Sequence, residues 1–191
     1  MKTLTLPVIL LALSGCALQQ ANTDMPIAPA EIAAVPECVG STDIPAAFAE
    51  DFDAVTDTAL LADSLGEPTK GKLCQGKVYE SNADAEVVIY RAWNSTNPGS
   101  KLGSWWALYE PAGAVADYRE DYEICYQWSP LDKMVRCTLK PNTKVVIGNG
   151  QSAFCSAYLT YPVSESQQVY IQDAANAVEN CTTFTAEFSW K

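Results

Sequence analysis

"AEVVIYRAW", residues 85–93, decides the fold class. Its apolar run Val87-Val88-Ile89-Tyr90 is short, β-branched and aromatic, and leads directly into Arg91. That composition reads as a strand. The same texture recurs from Lys77 onward. "KVYES", "GSWWALYEP", "YEICYQW", "KMVRCTLK", "TKVVIGNG", "SAFCSAYLTY" and "QQVYIQD" are short, rich in Val, Ile, Tyr and Trp, and punctuated by turn residues. The final "CTTFTAEFSWK" alternates, with Phe184, Ala186, Phe188 and Trp190 on one side, which predicts a half-buried strand. "DAANAVEN" before it reads as one or two helical turns. "VVIGNGQS" reads as a strand ending in a Gly148-Asn149-Gly150 turn.

Upstream of the strands, residues 41–68, "STDIPAAFAEDFDAVTDTALLADSLGEP", carry the helical pattern. Ile44, Phe48, Phe52, Val55 and Leu61 recur at roughly helical spacing. Ser41, Thr42 or Asp43 can cap the start, Pro45 suits an early position, and Gly66 and Pro68 end the pattern. The expectation is an α+β domain: a mostly antiparallel β sheet with an N-terminal helix packed on it, stapled by disulfides.

The staples follow from cysteine arithmetic. The seven cysteines stand at positions 16, 38, 74, 125, 137, 155 and 181. Cys16 is set apart by the lipidation motif described below, so six remain, an even number that reads as three disulfides in an exported chain. A hairpin turning at residues 129–132 would set Cys125 opposite Cys137 and Trp128 opposite Met134, which predicts a Cys125–Cys137 bridge. The pairing of the other four stays open, with Cys38–Cys74 and Cys155–Cys181 as the candidate bridges. The chain has no histidine and no Cys-x-x-Cys pair, which disfavours a structural zinc site, so no metal is expected.

The N-terminal "MKTLTLPVILLALSGC" has one basic residue, an apolar run and small residues before Cys16. It reads as a signal peptide over residues 1–15. The Leu13-Ser14-Gly15-Cys16 ending resembles the bacterial lipobox. The resemblance implies lipidation of Cys16 and attachment to the membrane through that lipid. Ala17 after the cysteine implies sorting to the outer membrane. Residues 16–37 then form a flexible tether with three prolines and no aromatic residue, and residues 38–191 a single domain.

Net charge is −11 and the pI about 4.3. Nucleic-acid binding is disfavoured, because phosphates need clustered Lys and Arg. Without histidine, the familiar Ser–His and Cys–His hydrolase triads are excluded, and no nucleotide-binding glycine motif appears. Carboxylates cluster at Glu50/Asp51/Asp53 and Glu120/Asp121/Glu123, with Glu165 and Glu179 apart. Nothing in the pattern selects one pair for catalysis.

Two functions fit these limits. One is an envelope lipoprotein whose domain binds a cationic protein or a saccharide, without a cofactor. The other rests on the order of Arg91 at a strand end, "GSWW", "YRED", "LKPNTKVVIGNGQSA" and "QQVYI". Over residues 87–171 this order resembles the ADP-ribosyltransferase-like toxins and related NAD glycohydrolases. The resemblance implies NAD as substrate, with Arg91 holding its phosphates, Trp105 or Trp106 as an aromatic wall, and Gln168 beside the nicotinamide ribose. The two tryptophans are adjacent, and adjacent strand residues face opposite sides. A regular strand therefore buries one of them in the core and turns the other away.

Overall fold

The computed structural model describes residues 37–185. The expected signal peptide, Cys16 and most of the expected tether lie outside the described residues, as do residues 186–191 of the expected last strand. Ten strands form: β1 (Phe52–Ala54), β2 (Leu73–Ser81), β3 (Val88–Trp93), β4 (Trp105–Trp106), β5 (Lys133–Leu139), β6 (Lys144–Gly150), β7 (Ala153–Ser156), β8 (Leu159–Tyr161), β9 (Gln167–Tyr170) and β10 (Val178–Thr185). Three short helices accompany them: α1 (Thr58–Ser64), α2 (Val115–Asp121) and α3 (Ala174–Ala177). Every pairing between these strands is antiparallel. The fold is α+β and disulfide-stapled.

Two sheets enclose the core. One has the order β1-β2-β6-β9-β4 and the other β10-β5-β3, while β7 and β8 make a separate hairpin. A pair of backbone hydrogen bonds between Tyr90 and Ala107 ties β3 to the residue after β4. Between the sheets lie Ile89, Trp93, Val135 and Leu139 from one side and Tyr79, Val145, Ile147, Val169 and Trp106 from the other. The five-stranded sheet is apolar on its outer face too. There Leu73, Val78, Val146 and Tyr170 meet Leu60 of α1. Burial on both faces explains why "KVVI" reads as an unbroken apolar run rather than an alternating one.

The expected long N-terminal helix does not form. Residues 46–48 make one 3-10 turn, Phe52 starts β1 opposite Ser81, and only α1 is α-helical, capped by Asp57, whose side chain accepts from the Leu60 amide. The apolar spacing was real, but it serves two surfaces. Ile44, Phe48 and Phe52 pack into the inter-sheet core, and Val55 and Leu61 pack on the outer face. One straight helix could not reach both sides of a sheet.

"YEICYQW" is not a strand. It follows α2 as a turn, with the Trp128 amide donating to the Cys125 carbonyl. The hairpin that would have joined Cys125 to Cys137 is therefore absent, and Met134 pairs with Ala92 and Phe184, not Trp128. The disulfides are Cys38–Cys74, as expected, and Cys125–Cys155 and Cys137–Cys181 in place of the other two pairings. β5 lies between β3 and β10, so Cys137 faces Cys181 across the β10 irregularity between Glu179 and Thr182. β10 is an edge strand exposed from Glu179 to Thr185, not half-buried over those residues.

Gly148-Asn149-Gly150 is strand, not turn: Gly148 pairs with Gly76 and with Gln168. A Cβ on Gly148 would stand 2.0 Å from the Gln75 carbonyl oxygen, so the glycine permits this close approach of β2 and β6. The one-turn α3 matches its expectation, with Asp173 as cap.

Candidate functional site

β3 delivers Arg91 from the core-facing register that also carries Ile89 and Trp93. Its guanidinium lies under the loop joining β3 to β4. Nε donates to the Ser100 carbonyl at 2.8 Å, and Nη1 donates to the Trp105 carbonyl at 2.6 Å. The guanidinium packs directly on Gly103, where an added Cβ would sit 2.6 Å from Nη2. No carboxylate pairs with Arg91 among the described residues. Burial lowers its pKa from the ordinary arginine value. The result is an arginine held by neutral carbonyls, its positive charge uncompensated by an acid.

β4 splits the tryptophan pair as alternation demands. Trp106 is 2% exposed in the inter-sheet core, with Nε1 donating to the Gly103 carbonyl. Trp105 faces the other way, its ring 4.9 Å from that of Tyr170 and tilted by 50°. Gln168 leaves β9 on the same side as Tyr170, while Val169 between them enters the core.

Arg91, Trp105, Trp106 and Gln168 all line one cleft of about 200 Å³. The four residues selected from the sequence thus come together in space. Another wall comes from the segment between β4 and β5, which supplies Tyr118, Tyr122, Glu123 and Trp128, and the β3–β4 loop adds Asn94, Asn97 and Ser100. Arg119 holds this wall in place by donating to the carbonyls of Ile124 and Ser129. The Cys125–Cys155 bridge and a Gln127 hydrogen bond to the Cys155 carbonyl fix it to β7.

Glu123 is the residue that the sequence did not single out. It ends α2 in a Schellman arrangement: the Glu123 amide donates to the Glu120 carbonyl, and the Ile124 amide to the Arg119 carbonyl. Its φ is +47°, a left-handed conformation that this position normally gives to glycine. The side chain is nonetheless buried, and Gln168 Nε2 donates to its Oε2 at 2.8 Å. Gly150 of β6 packs against the same carboxyl, since an added Cβ would lie 1.7 Å from Oε2. Loss of hydration, opposed by the Gln168 hydrogen bond and aided by nearby Asp121, pushes the carboxyl pKa up to about 9. At neutral pH Glu123 is therefore an uncharged acid. Burial likewise raises the Tyr122 hydroxyl to about 12 and the Tyr118 hydroxyl above its usual range.

Two buried side-chain polar atoms lack any hydrogen-bond partner among the described residues, Trp93 Nε1 and Glu123 Oε1. Both residues line this cleft. A buried polar atom without a partner costs about 1–3 kcal/mol, and both of these costs fall on residues that line the cleft. Chemically it combines an unneutralised cation, aromatic walls and a fixed amide. No group of His, Cys, Asp and Glu among the described residues is arranged to hold a metal ion. Comparison of the chain with models of protein families, with curated proteins and with solved structures finds no match to any of them.

Proposed function

We propose that the cleft binds the nicotinamide end of NAD and that the protein is an NAD glycohydrolase of ADP-ribosyltransferase-like type. The observation that carries this reading is the convergence on one cleft of Arg91 and Trp105, 14 residues apart, with Gln168 from a much later strand. Its volume lies below the ~300–1,000 Å³ usual for a whole drug-sized ligand, so one nucleoside end enters and the rest of the dinucleotide lies across the rim.

In this reading Arg91 attracts the pyrophosphate, whose charge the guanidinium lacks in the free protein. Trp105 offers a ring face to the nicotinamide. Gln168 accepts from a ribose hydroxyl. The glycosidic C–N bond breaks with its electron pair leaving on the nicotinamide nitrogen, which loses its positive charge. Water adds to the ribose C1′ and releases one proton, giving nicotinamide and ADP-ribose. This cleavage passes through an oxocarbenium-like state that needs orientation more than a strong base, in keeping with a chain that has no histidine.

The test is release of nicotinamide from NAD by the purified full chain. Release by the wild type that Arg91→Ala abolishes supports the reading; no release from a folded wild type refutes it.

A specific observation favours a second reading, an envelope protein that engages a cationic protein or a saccharide. Tyr126, Trp128, Phe154 and Tyr158 are exposed, Tyr158 fully so at 99%, on two segments that the Cys125–Cys155 bridge joins. Aromatic side chains of this kind commonly anchor partners. A specific partner recovered by the full chain and lost in a Tyr126→Ala/Tyr158→Ala variant, with no nicotinamide release, would select it. In either reading we place the protein in the cell envelope, lipid-anchored at the outer membrane through Cys16. Incorporation of labelled palmitate that Cys16→Ala abolishes is the corresponding measurement.

A further inference from the structure

Glu123 combines features with no evident structural purpose. It occupies a glycine-type backbone conformation, φ +47°, at a helix end. Its carboxyl group is only 2% exposed and has no ion-pair partner among the described residues. One oxygen holds Gln168 and the other holds nothing. Backbone strain and an incompletely bonded buried group both destabilise a fold, so their coincidence at a cleft points to a role in the site.

We propose that Glu123 is the positioning residue of the cleft: by accepting the Gln168 amide nitrogen, it turns the Gln168 carbonyl oxygen toward the ligand. The proposal rests on the NAD reading for the identity of that ligand. An amide side chain can present either end to a cleft. In this structure the Glu123 Oε2 contact engages Nε2 and leaves Oε1 of Gln168 without a protein hydrogen bond among the described residues, so the oxygen is the end left for a ligand. An amide oxygen only accepts. The group it meets must therefore donate, as a ribose hydroxyl or the nicotinamide carboxamide N–H does.

The surroundings explain why an acid serves here. Asp121 of α2 and the adjoining Tyr122 interact electrostatically with Glu123, and Tyr118 of α2, Arg91 of β3 and Lys72 line the same cleft. Burial keeps the carboxyl protonated at neutral pH. With the proton on Oε1, Oε2 remains a pure acceptor for Gln168, and no negative charge enters a cleft meant for phosphates.

The experiment compares wild type, Glu123→Gln and Glu123→Leu as purified full chains. In ligand-free protein, the side-chain NH₂ resonances of Gln168, assigned by their absence in Gln168→Glu, are followed by ¹⁵N–¹H NMR from pH 6 to 10.5. In the wild type they should titrate with a midpoint near 9; in Glu123→Gln they should not titrate. In Glu123→Leu they should move toward free-amide positions. With NAD at pH 7, Glu123→Leu should lower kcat/KM by about tenfold to a hundredfold. Glu123→Gln should recover most of that loss, because an amide reproduces one acceptor and one donor. Gln168 resonances indifferent to Glu123→Leu, or a glutamine variant as poor as the leucine one, would overturn the proposal. If Glu123→Leu does not fold, the comparison of wild type with Glu123→Gln at pH 10 decides: only the wild type should lose NAD binding there. If the wild type neither binds nor cleaves NAD, the function reading falls, while the NMR titration still decides the Glu123–Gln168 relation.

Discussion

Replacing Glu123 by Gln should remove a pH dependence of stability that the wild type carries between pH 5 and 8. The buried carboxyl titrates near 9 in the folded protein, against an ordinary value of 4.5. Between those values the folded state keeps a proton that the unfolded state has released. Stability from this group is therefore complete below pH 4.5 and is lost as pH rises toward 9. The slope is about 1.36 kcal/mol per pH unit, so the three units from pH 5 to pH 8 weaken folding by about 4 kcal/mol. Few other groups intrude in this window. The chain has no histidine, and the carboxyls of Asp57 and Asp132 are held below their usual range by hydrogen bonds to the Leu60 amide and to Ser95, so both remain ionised throughout. Urea unfolding followed by tryptophan fluorescence at pH 5, 6, 7 and 8 would give the slope for each protein. The wild-type midpoint should fall steadily while that of Glu123→Gln stays nearly level. Parallel slopes in the two proteins would show that Glu123 is ionised in the folded state, and the account of the cleft as charge-free at that point would fail.

Gly150→Ala should push against the Glu123 carboxyl, whose Oε2 would lie 1.7 Å from the new Cβ. Thermal melting should report a loss of about 1–3 kcal/mol, and the Gln168 amide resonances should shift with it. The tryptophan pair should separate stability from binding. Trp106→Ala empties a core position and should cost about 3–5 kcal/mol by chemical denaturation, whereas Trp105→Ala should cost less stability and lose most of the NAD affinity read by calorimetry. Peptide mapping under non-reducing conditions should recover Cys137 with Cys181, 44 residues apart. Replacing both with alanine should lower stability by about 4 kcal/mol through the freed loop.

Much of the strand content was legible because β-branched and aromatic runs are a local property. "VIYRAW", "KMVRCTL", "KVVI" and "QQVY" became β3, β5, β6 and β9 nearly as written. The residues 41–68 were misleading for a definite reason. Helical spacing says that apolar side chains recur, and it does not say that they share one destination. Here three entered the core between the sheets and two went to the outer face. Cys125 failed in the same way. Its opposition to Cys137 required both flanks to be strand, and α2 with its following turn removed one flank. Glu123 gave no local signal at all. A helix end occupied by Glu rather than Gly looks ordinary in a chain with 23 acids. Only the packing of Gly150 and the reach of Gln168 reveal that this one is buried.

By itself, the sequence determined composition-level facts: an acidic chain without histidine, an even set of domain cysteines, strands after residue 77, and adjacent tryptophans that must part company. Each follows from residue chemistry or from a repeat of two along a strand. Tertiary structure alone decided that Cys137 meets Cys181, because that depends on the strand order β10-β5-β3. It alone brought Arg91 and Trp105 to one cleft with Gln168 from a much later strand. And it alone turned Glu123 from a surface-type residue into an uncharged acid, because a carboxyl keeps its proton only where the fold has taken away its water.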